Sequence, residues 1–242
     1  MTEWGPWDHA SPLVWPEDTV GGRQRIALRQ FEQRPECSVE GTVKGRVEWQ
    51  LTGTGPDYAV TLSAPSQGVF PYRLEVKTDG FSQQVRGALL AARWHVRVFP
   101  FVGDPVAEPN AWLTAWTEAK NATIEVERLD DAAVLRPPVV ENDKAAEPQP
   151  SSRPAEARRL VTGFAATTNV PAPAGKWRIV AVTDGGLQVY VRGAPVIEAW
   201  GSERGTRRVS GEFTSTGAPV EIRVEHFGGR PMKPIRLRVL PG

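Results

Sequence analysis

The chain reads as an all-β protein built of antiparallel sheets packed face to face. Three observations predict this. Apolar and polar residues alternate with period two through residues 176–200, which puts successive side chains on opposite faces of a strand. Glycine and proline number 23 and 22, enough turn-formers to join many short strands. Apolar runs at helical spacing are scarce.

Taken in order, residues 23–31 (RQRIALRQF) form a strand or a short helix. Residues 45–51, 57–62, 72–77 and 94–99 each pair β-branched or aromatic residues with alternating polarity, so they read as strands. Between residues 45–51 and the strand that starts at 57, Gly53-Thr54-Gly55-Pro56-Asp57 is a hairpin loop. It leads into a strand, whereas a phosphate cradle needs a glycine-rich loop leading into a helix. Residues 111–119 (AWLTAWTEA) are the best helix candidate, with Trp112, Leu113 and Trp116 on one side and Asn110 placed to cap its start. Residues 121–129 return to a strand, with Ile124 and Val126 on one face.

Residues 136–157 hold five prolines, charges and small polar residues, with no aromatic. Such a stretch buries too little apolar surface to offset its ordering entropy, so it is a linker or a long loop inside one sandwich. It divides the chain into a β-rich unit at 1–135, which carries a Trp-rich N-terminal segment, and a second sandwich unit at 158–242.

Residues 176–192 read as a hairpin. Trp177, Ile179 and Ala181 share one face of the first strand, and Leu187, Val189 and Val191 share one face of the next. Asp184-Gly185-Gly186 supplies the turn, and Arg192-Gly193 makes a second short turn. Residues 220–227 (VEIRVEHF) and 235–239 (IRLRV) close the unit. An internal echo links the halves: residues 72–80 (YRLEVKTDG) parallel 177–185 (WRIVAVTDG), and Val85-Arg86-Gly87-Ala88 parallels Val191-Arg192-Gly193-Ala194. The echo is either a duplication or hairpin chemistry used twice.

These residues carry a resemblance. Thr183-Asp184-Gly185-Gly186, Arg192-Gly193, Val196-Ile197-Glu198-Ala199-Trp200, the arginine-bearing strand 220–227 and the closing strand 235–239 occur in the order of a known family. That family is the protective-antigen-type (PA-fourteen, GLEYA-like adhesin) carbohydrate-binding β-sandwich, and about a third of the chain resembles it. The resemblance implies a lectin-like site among the loops around residues 184–186 and 193–195. Asp184, Gly185, Gly186, Tyr190 and Trp200 are its ligand-binding residues. Adhesin members of the family hold Ca²⁺ through two consecutive aspartates. Here only Asp184 matches, and Gly185 replaces the second. Calcium takes six to eight oxygen ligands, several of them carboxylates, so no cofactor and no metal is expected.

Other chemistry finds little support. There is no Gly-x-Ser-x-Gly elbow, and the three histidines, His9, His95 and His226, are far apart. His226 ends a strand and reads as a structural hydrogen-bonder. Glu221 and Glu225 share a face with Arg223, which reads as a solvated ion-pair stripe rather than a glycosidase pair. Cys37 is the only cysteine, so there is no disulfide framework. A net charge of +1 gives no electrostatic case for nucleic acid, and no apolar run is long enough to span a membrane. The first nine residues lack the basic and apolar regions of a signal peptide, and residues 121–123 match a glycosylation sequon. Tryptophan is abundant, at 9 residues. Trp4, Trp7 and Trp15 stack on a sugar or fasten the N-terminal segment, while Trp49, Trp94, Trp177 and Trp200 belong to the core.

The expected function is therefore a non-catalytic carbohydrate-binding accessory module of a secreted or cell-surface protein, present as a mature fragment, with a glycan or glycosylated surface as partner. A structural module that docks another protein domain is the alternative. A glycoside-active enzyme domain is the third, and a cytoplasmic location goes with a chain that is complete as it stands.

Overall fold

The computed structural model describes residues 13–20, 22–41, 47–118, 124–128, 134–135, 160–201, 205–228 and 235–242. Trp4, Trp7, the Asp8-His9 pair, the sequon and the 136–157 stretch lie outside these residues, and the side chain of Trp15 is likewise not described.

The first unit runs β1 (Val14–Val20), β2 (Arg23–Leu28), β3 (Glu36–Gly41), β4 (Glu48–Thr54), β5 (Asp57–Ser63), β6 (Gly68–Thr78) and β7 (Phe81–Ala91). The region 23–31 is thus a strand over Arg23–Leu28, where Ile26 and Leu28 alternate inward. Two sheets form, in the orders β1-β2-β5-β4 and β3-β6-β7. They enclose a core that includes Ile26, Leu28, Val60, Leu62, Leu74, Val76, Val85 and Leu89. Trp49, expected in the core, is 42% exposed, although Leu51 on the same face of β4 packs against the first core.

The second unit comprises β8 (Trp94–Val102), α1 (Pro109–Thr117), β9 (Ile124–Arg128), β10 (Val134–Leu135), β11 (Leu160–Val170), β12 (Gly175–Asp184), β13 (Gly186–Val191), β14 (Ala194–Ala199), β15 (Thr206–Ser215), β16 (Val220–Gly228) and β17 (Ile235–Pro241). Its large sheet has the order β14-β13-β16-β11-β8-β9, and the facing sheet has the order β10-β17-β12-β15. β8 pairs with β11 from Leu160↔Val102 to Thr167↔His95. Strands on both sides of residues 136–157 thus share the same two sheets. Composition marks a stretch that lacks a core-forming pattern. It does not say which sheets its flanks join.

The fused units share a hairpin. β6 and β7 pair along their full length from Gly68↔Ala91 to Thr78↔Phe81. One face of this hairpin feeds the first core through Leu74, Val76, Val85 and Leu89. The other face feeds the second core through Val69, Ala88 and Leu90. Val69 N–H also donates to the Pro171 carbonyl at 2.8 Å.

The hairpin read at 176–192 does not form. β12 pairs with β15 and β17 in one sheet, while β13 pairs with β14 and β16 in the other. Asp184-Gly185-Gly186 is an arch that carries the chain from sheet to sheet. The hairpin in this region lies one turn later, where Val191↔Ala194 closes on Arg192 (φ 51°) and Gly193 (φ 77°). Two positive φ values match the right-handed twist of the flanking strands.

The helix begins two residues earlier than a cap at Asn110 would place it. Pro109 is its first residue, where a missing N–H costs nothing, and Asn110 lies within it. Arg97 of β8 donates from Nη1 to the carbonyls of Trp116 (2.9 Å) and Thr117 (3.2 Å), which satisfies the helix C-terminus.

Candidate functional site

The arch at Asp184 is closed by its own hydrogen bonds. Gly205 N–H donates to Asp184 Oδ1 at 3.3 Å, and Arg207 Nη2 donates to the Gly185 carbonyl at 3.0 Å and to the Ala199 carbonyl. Gly185 has φ +125°, and a Cβ there would lie 2.3 Å from the Phe227 carbonyl oxygen. A Cβ on Gly186 would lie 2.0 Å from the Phe227 ring. The two glycines thus allow the arch to seat directly on β16. Beneath it His226 is fully buried, with Nδ1 2.8 Å from the Gly186 carbonyl and 3.3 Å from Thr183 Oγ1. Burial pushes its pKa down to about 4, so the ring is neutral at pH 7 and its Nδ1–H donates to Gly186. His226 is a structural hydrogen-bonder, as its place at a strand end suggests.

Trp200 joins an aromatic cluster. Its Nε1 donates to the Pro105 carbonyl at 3.0 Å, and its ring meets Phe227 at 4.7 Å and Trp112 at 5.1 Å, both edge-on. Trp112 inserts from α1 between these rings and Phe99 and Phe101, which project from the outer face of β8.

Tyr190 lies elsewhere. β13 spans six residues, so the arch at its start and the Arg192-Gly193 turn after its end stand roughly 20 Å apart. The loops around 184–186 and 193–195 therefore do not form one rim, contrary to the sequence expectation. The strand between them keeps the two turns apart whether the first is a hairpin or an arch. Tyr190 faces outward between these ends, its hydroxyl donating to Gln188 Oε1 at 2.9 Å.

Around Tyr190 the outer face of the large sheet gathers a second constellation. The Arg223 guanidinium sits 4.1 Å from the Tyr190 ring centroid and 5.4 Å from that of Trp116. Arg223 Nε lies 3.1 Å from Glu225 Oε1, an ionic contact whose N–H direction misses the oxygen. Trp112 Nε1 donates to Glu225 Oε2 at 2.8 Å. Glu225 is 3% exposed, not part of a solvated stripe, because α1 covers it. Burial raises its pKa, against the Trp112 bond and the Arg223 charge. Burial and the nearby Glu225 raise the pKa of Tyr190.

Beside this cluster an open hollow of about 420 Å³ is lined by Trp116, His95, Thr167, Asn169, Glu221 and Arg223 among others. An indole wall with hydroxyl, amide, carboxylate and guanidinium groups around it suits a flat, polar-edged ring. The sequence reading gave Trp116 to a helix face and Arg223 to an ion-pair stripe. The available signal was the outward alternation of Glu221, Arg223 and Glu225. Among the described residues, no group of three or more His, Cys, Asp or Glu is placed to hold a metal ion, and no helix is long and apolar enough to cross a membrane.

No known family profile and no curated protein matches the chain. Solved structures do resemble it. A β-glucosidase from Kluyveromyces marxianus in complex with glucose is 12% identical, with a TM-score of 0.41 over 62% of this chain and 15% of its own. An anti-sigma factor domain-containing protein is 12% identical, with a TM-score of 0.40 over 94% of this chain and 86% of its own. A PA14 sugar-binding domain from an RTX adhesin is 16% identical, with a TM-score of 0.29 over 63% of this chain and 68% of its own. None superposes closely enough for its function to transfer, so this chain's own side chains carry the functional reading.

Proposed function

We propose that the chain is a non-catalytic carbohydrate-binding module of a secreted or cell-surface protein, and that it takes sugar on the outer face of the large sheet, beside α1. The observation that supports this is that Trp116 and Arg223 line the 420 Å³ hollow together, with the Arg223 guanidinium also held over the Tyr190 ring. A pyranose presents C–H groups on its face and hydroxyls on its rim. The indole packs against the face, while Arg223, Glu221 and Asn169 exchange hydrogen bonds with the rim. Glu225 serves as a post that fixes Arg223. Trp112 and Arg223 engage its two oxygens, which leaves it poorly placed for proton transfer to a substrate. In this reading Asp184, Gly185, Gly186 and Trp200 shape the fold, and Tyr190 contacts ligand.

A glycan array probed with the full chain tests the reading. At least one saccharide class should bind, insensitive to chelator. Trp116→Ala and Arg223→Ala should each weaken it by roughly tenfold or more, while Asp184→Asn leaves it unchanged. Circular dichroism confirms that the variants are folded. A blank array, or binding lost in Asp184→Asn and kept in Arg223→Ala, sinks the proposed surface. A blank array together with a defined protein complex would favour docking.

A further inference from the structure

A second cavity, of about 300 Å³, lies between the two sandwiches. It is lined by Gln24, Tyr72, Arg86, Arg178, Glu212 and Arg238, together with apolar and backbone groups. Arg86 projects from the face of β7 that also carries Ala88 and Leu90, the side turned towards the second unit. Arg178 and Glu212 are direct partners across β12 and β15, and Arg238 lies on the outer side of β17. Counting side chains alone, three guanidiniums against one carboxylate give the lining a formal charge of +2, and the backbone of Gly242 lines it too.

Arg238 is only 7% exposed, and its Nη2 donates to the Pro16 carbonyl at 3.2 Å. Its fork is thus held by β1 of the first unit while its charge stays at the cavity. Tyr72 is 3% exposed and donates to Gln24 Oε1 at 2.7 Å, and Gln24 Nε2 donates to the Glu17 carbonyl at 2.9 Å. That chain fixes the phenol. The Arg238 charge opposes the upward push that burial gives the Tyr72 pKa, which puts that charge within electrostatic reach of the hydroxyl. Arg86 stands opposite Arg73 across the β6–β7 ladder, and Glu40 pairs with Arg73. Among the described residues, Arg86 has no ion pair. Like charges directly opposite each other are destabilising, and Glu40 answers only the Arg73 member of this pair.

We propose that this cleft binds a small oxyanion, a carboxylate or a phosphate, between Arg86, Arg178 and Arg238, and that the ligand bridges the two sandwiches. A guanidinium fork matches both anions in geometry. Low-dielectric walls strengthen the attraction relative to an exposed pair. The site is distinct from the sugar surface, which lies on the opposite sheet of the second unit.

The test uses the full chain with sodium phosphate, sodium glucuronate and glucose, against sodium chloride at equal ionic strength. Phosphate or glucuronate should raise the unfolding temperature beyond the chloride control, and glucose should not. Whichever of the two anions acts identifies the source of the oxyanion. Amide chemical shifts should move in β7, β12 and β17 together. Arg86→Ala, at an exposed side chain that leaves both cores intact, should weaken binding by roughly tenfold. Arg238→Met should weaken it further, and circular dichroism shows whether that variant folds. The proposal fails if chloride matches the oxyanions, if Arg86→Ala binds as wild type does, or if the shifts fall elsewhere.

Discussion

Thr78-Asp79-Gly80 and Thr183-Asp184-Gly185 are the same three residues at the ends of similar strands, yet the chain turns differently after each. After Thr78 it folds back at once, and Thr78 pairs with Phe81 across a two-residue loop. After Thr183 it leaves the sheet and crosses to the other. What surrounds the glycine differs. A Cβ on Gly80 would meet nothing within 4 Å, whereas Gly185 and Gly186 lie against Phe227. The first turn needs glycine only for its positive φ. The second needs it because another strand occupies the space. Arg86-Gly87 and Arg192-Gly193 repeat the lesson in reverse. Gly193 turns a hairpin in open space, while Gly87 sits inside β7, where a Cβ would lie 2.5 Å from the Tyr72 hydroxyl oxygen.

The sharpest break of this comparison is Gly185→Ala against Gly80→Ala. Strain plus a backbone clash should cost the first about 3 kcal/mol or more, and strain alone should cost the second about 1 kcal/mol. Urea unfolding at pH 7 reads both, and equal losses would mean that contact with β16 does not define the arch. Next comes pH, to which the arch responds through His226. Its folded pKa lies near 4, below an ordinary value of 6.5, so the unfolded chain binds the proton first as pH falls. Stability is fully present above pH 6.5 and should drop by roughly 3 kcal/mol as pH falls towards 4. Glu225, with a raised pKa, acts in the opposite sense and loses stability as pH rises. The drop should therefore steepen in Glu225→Gln, and NMR titration of the His226 ring should show no protonation at pH 5.5.

Smaller effects follow at the second pair. Gly87→Ala should cost about 2 kcal/mol because Tyr72 is fixed by Gln24, and Gly193→Ala about 1 kcal/mol. A thermal unfolding series orders them, and the reverse order would show that the Tyr72 side yields. The smallest is Thr183→Val, which removes the hydroxyl next to His226 Nδ1. It should cost about 1 kcal/mol or less, because the Gly186 carbonyl remains as the partner.

Much of the fold was legible locally. β5, β6, β8, β16 and β17 follow their alternation, and the helix follows Trp112, whose ring is buried. β11 was missed, although it is an interior strand of the large sheet. Its sequence LVTGFAATTNV offers weak contrast between faces, because α1 covers part of the outer side and both faces are partly apolar. Trp49 was misplaced for another reason: alternation says which residues share a face, but not which of them the rest of the molecule covers, and Leu51 is packed on the core while Trp49 on the same face is exposed. In the candidate site, Tyr190 was found and Trp116 and Arg223 were not given binding roles. They come from α1 and β16, 107 residues apart in the sequence.

The sequence by itself determined that this chain is made of strands, where most of them lie and which glycines bend it. Those properties follow from side-chain alternation and backbone sterics, which act over a few residues. Only the tertiary structure decided which bend is a hairpin and which an arch, and which strands before the 136–157 stretch join those after it. It also brought Trp116, Tyr190 and Arg223 to one face, and three arginines to one cleft. Those outcomes depend on what packs against a turn or a strand from elsewhere in the chain, and no local pattern encodes that partner.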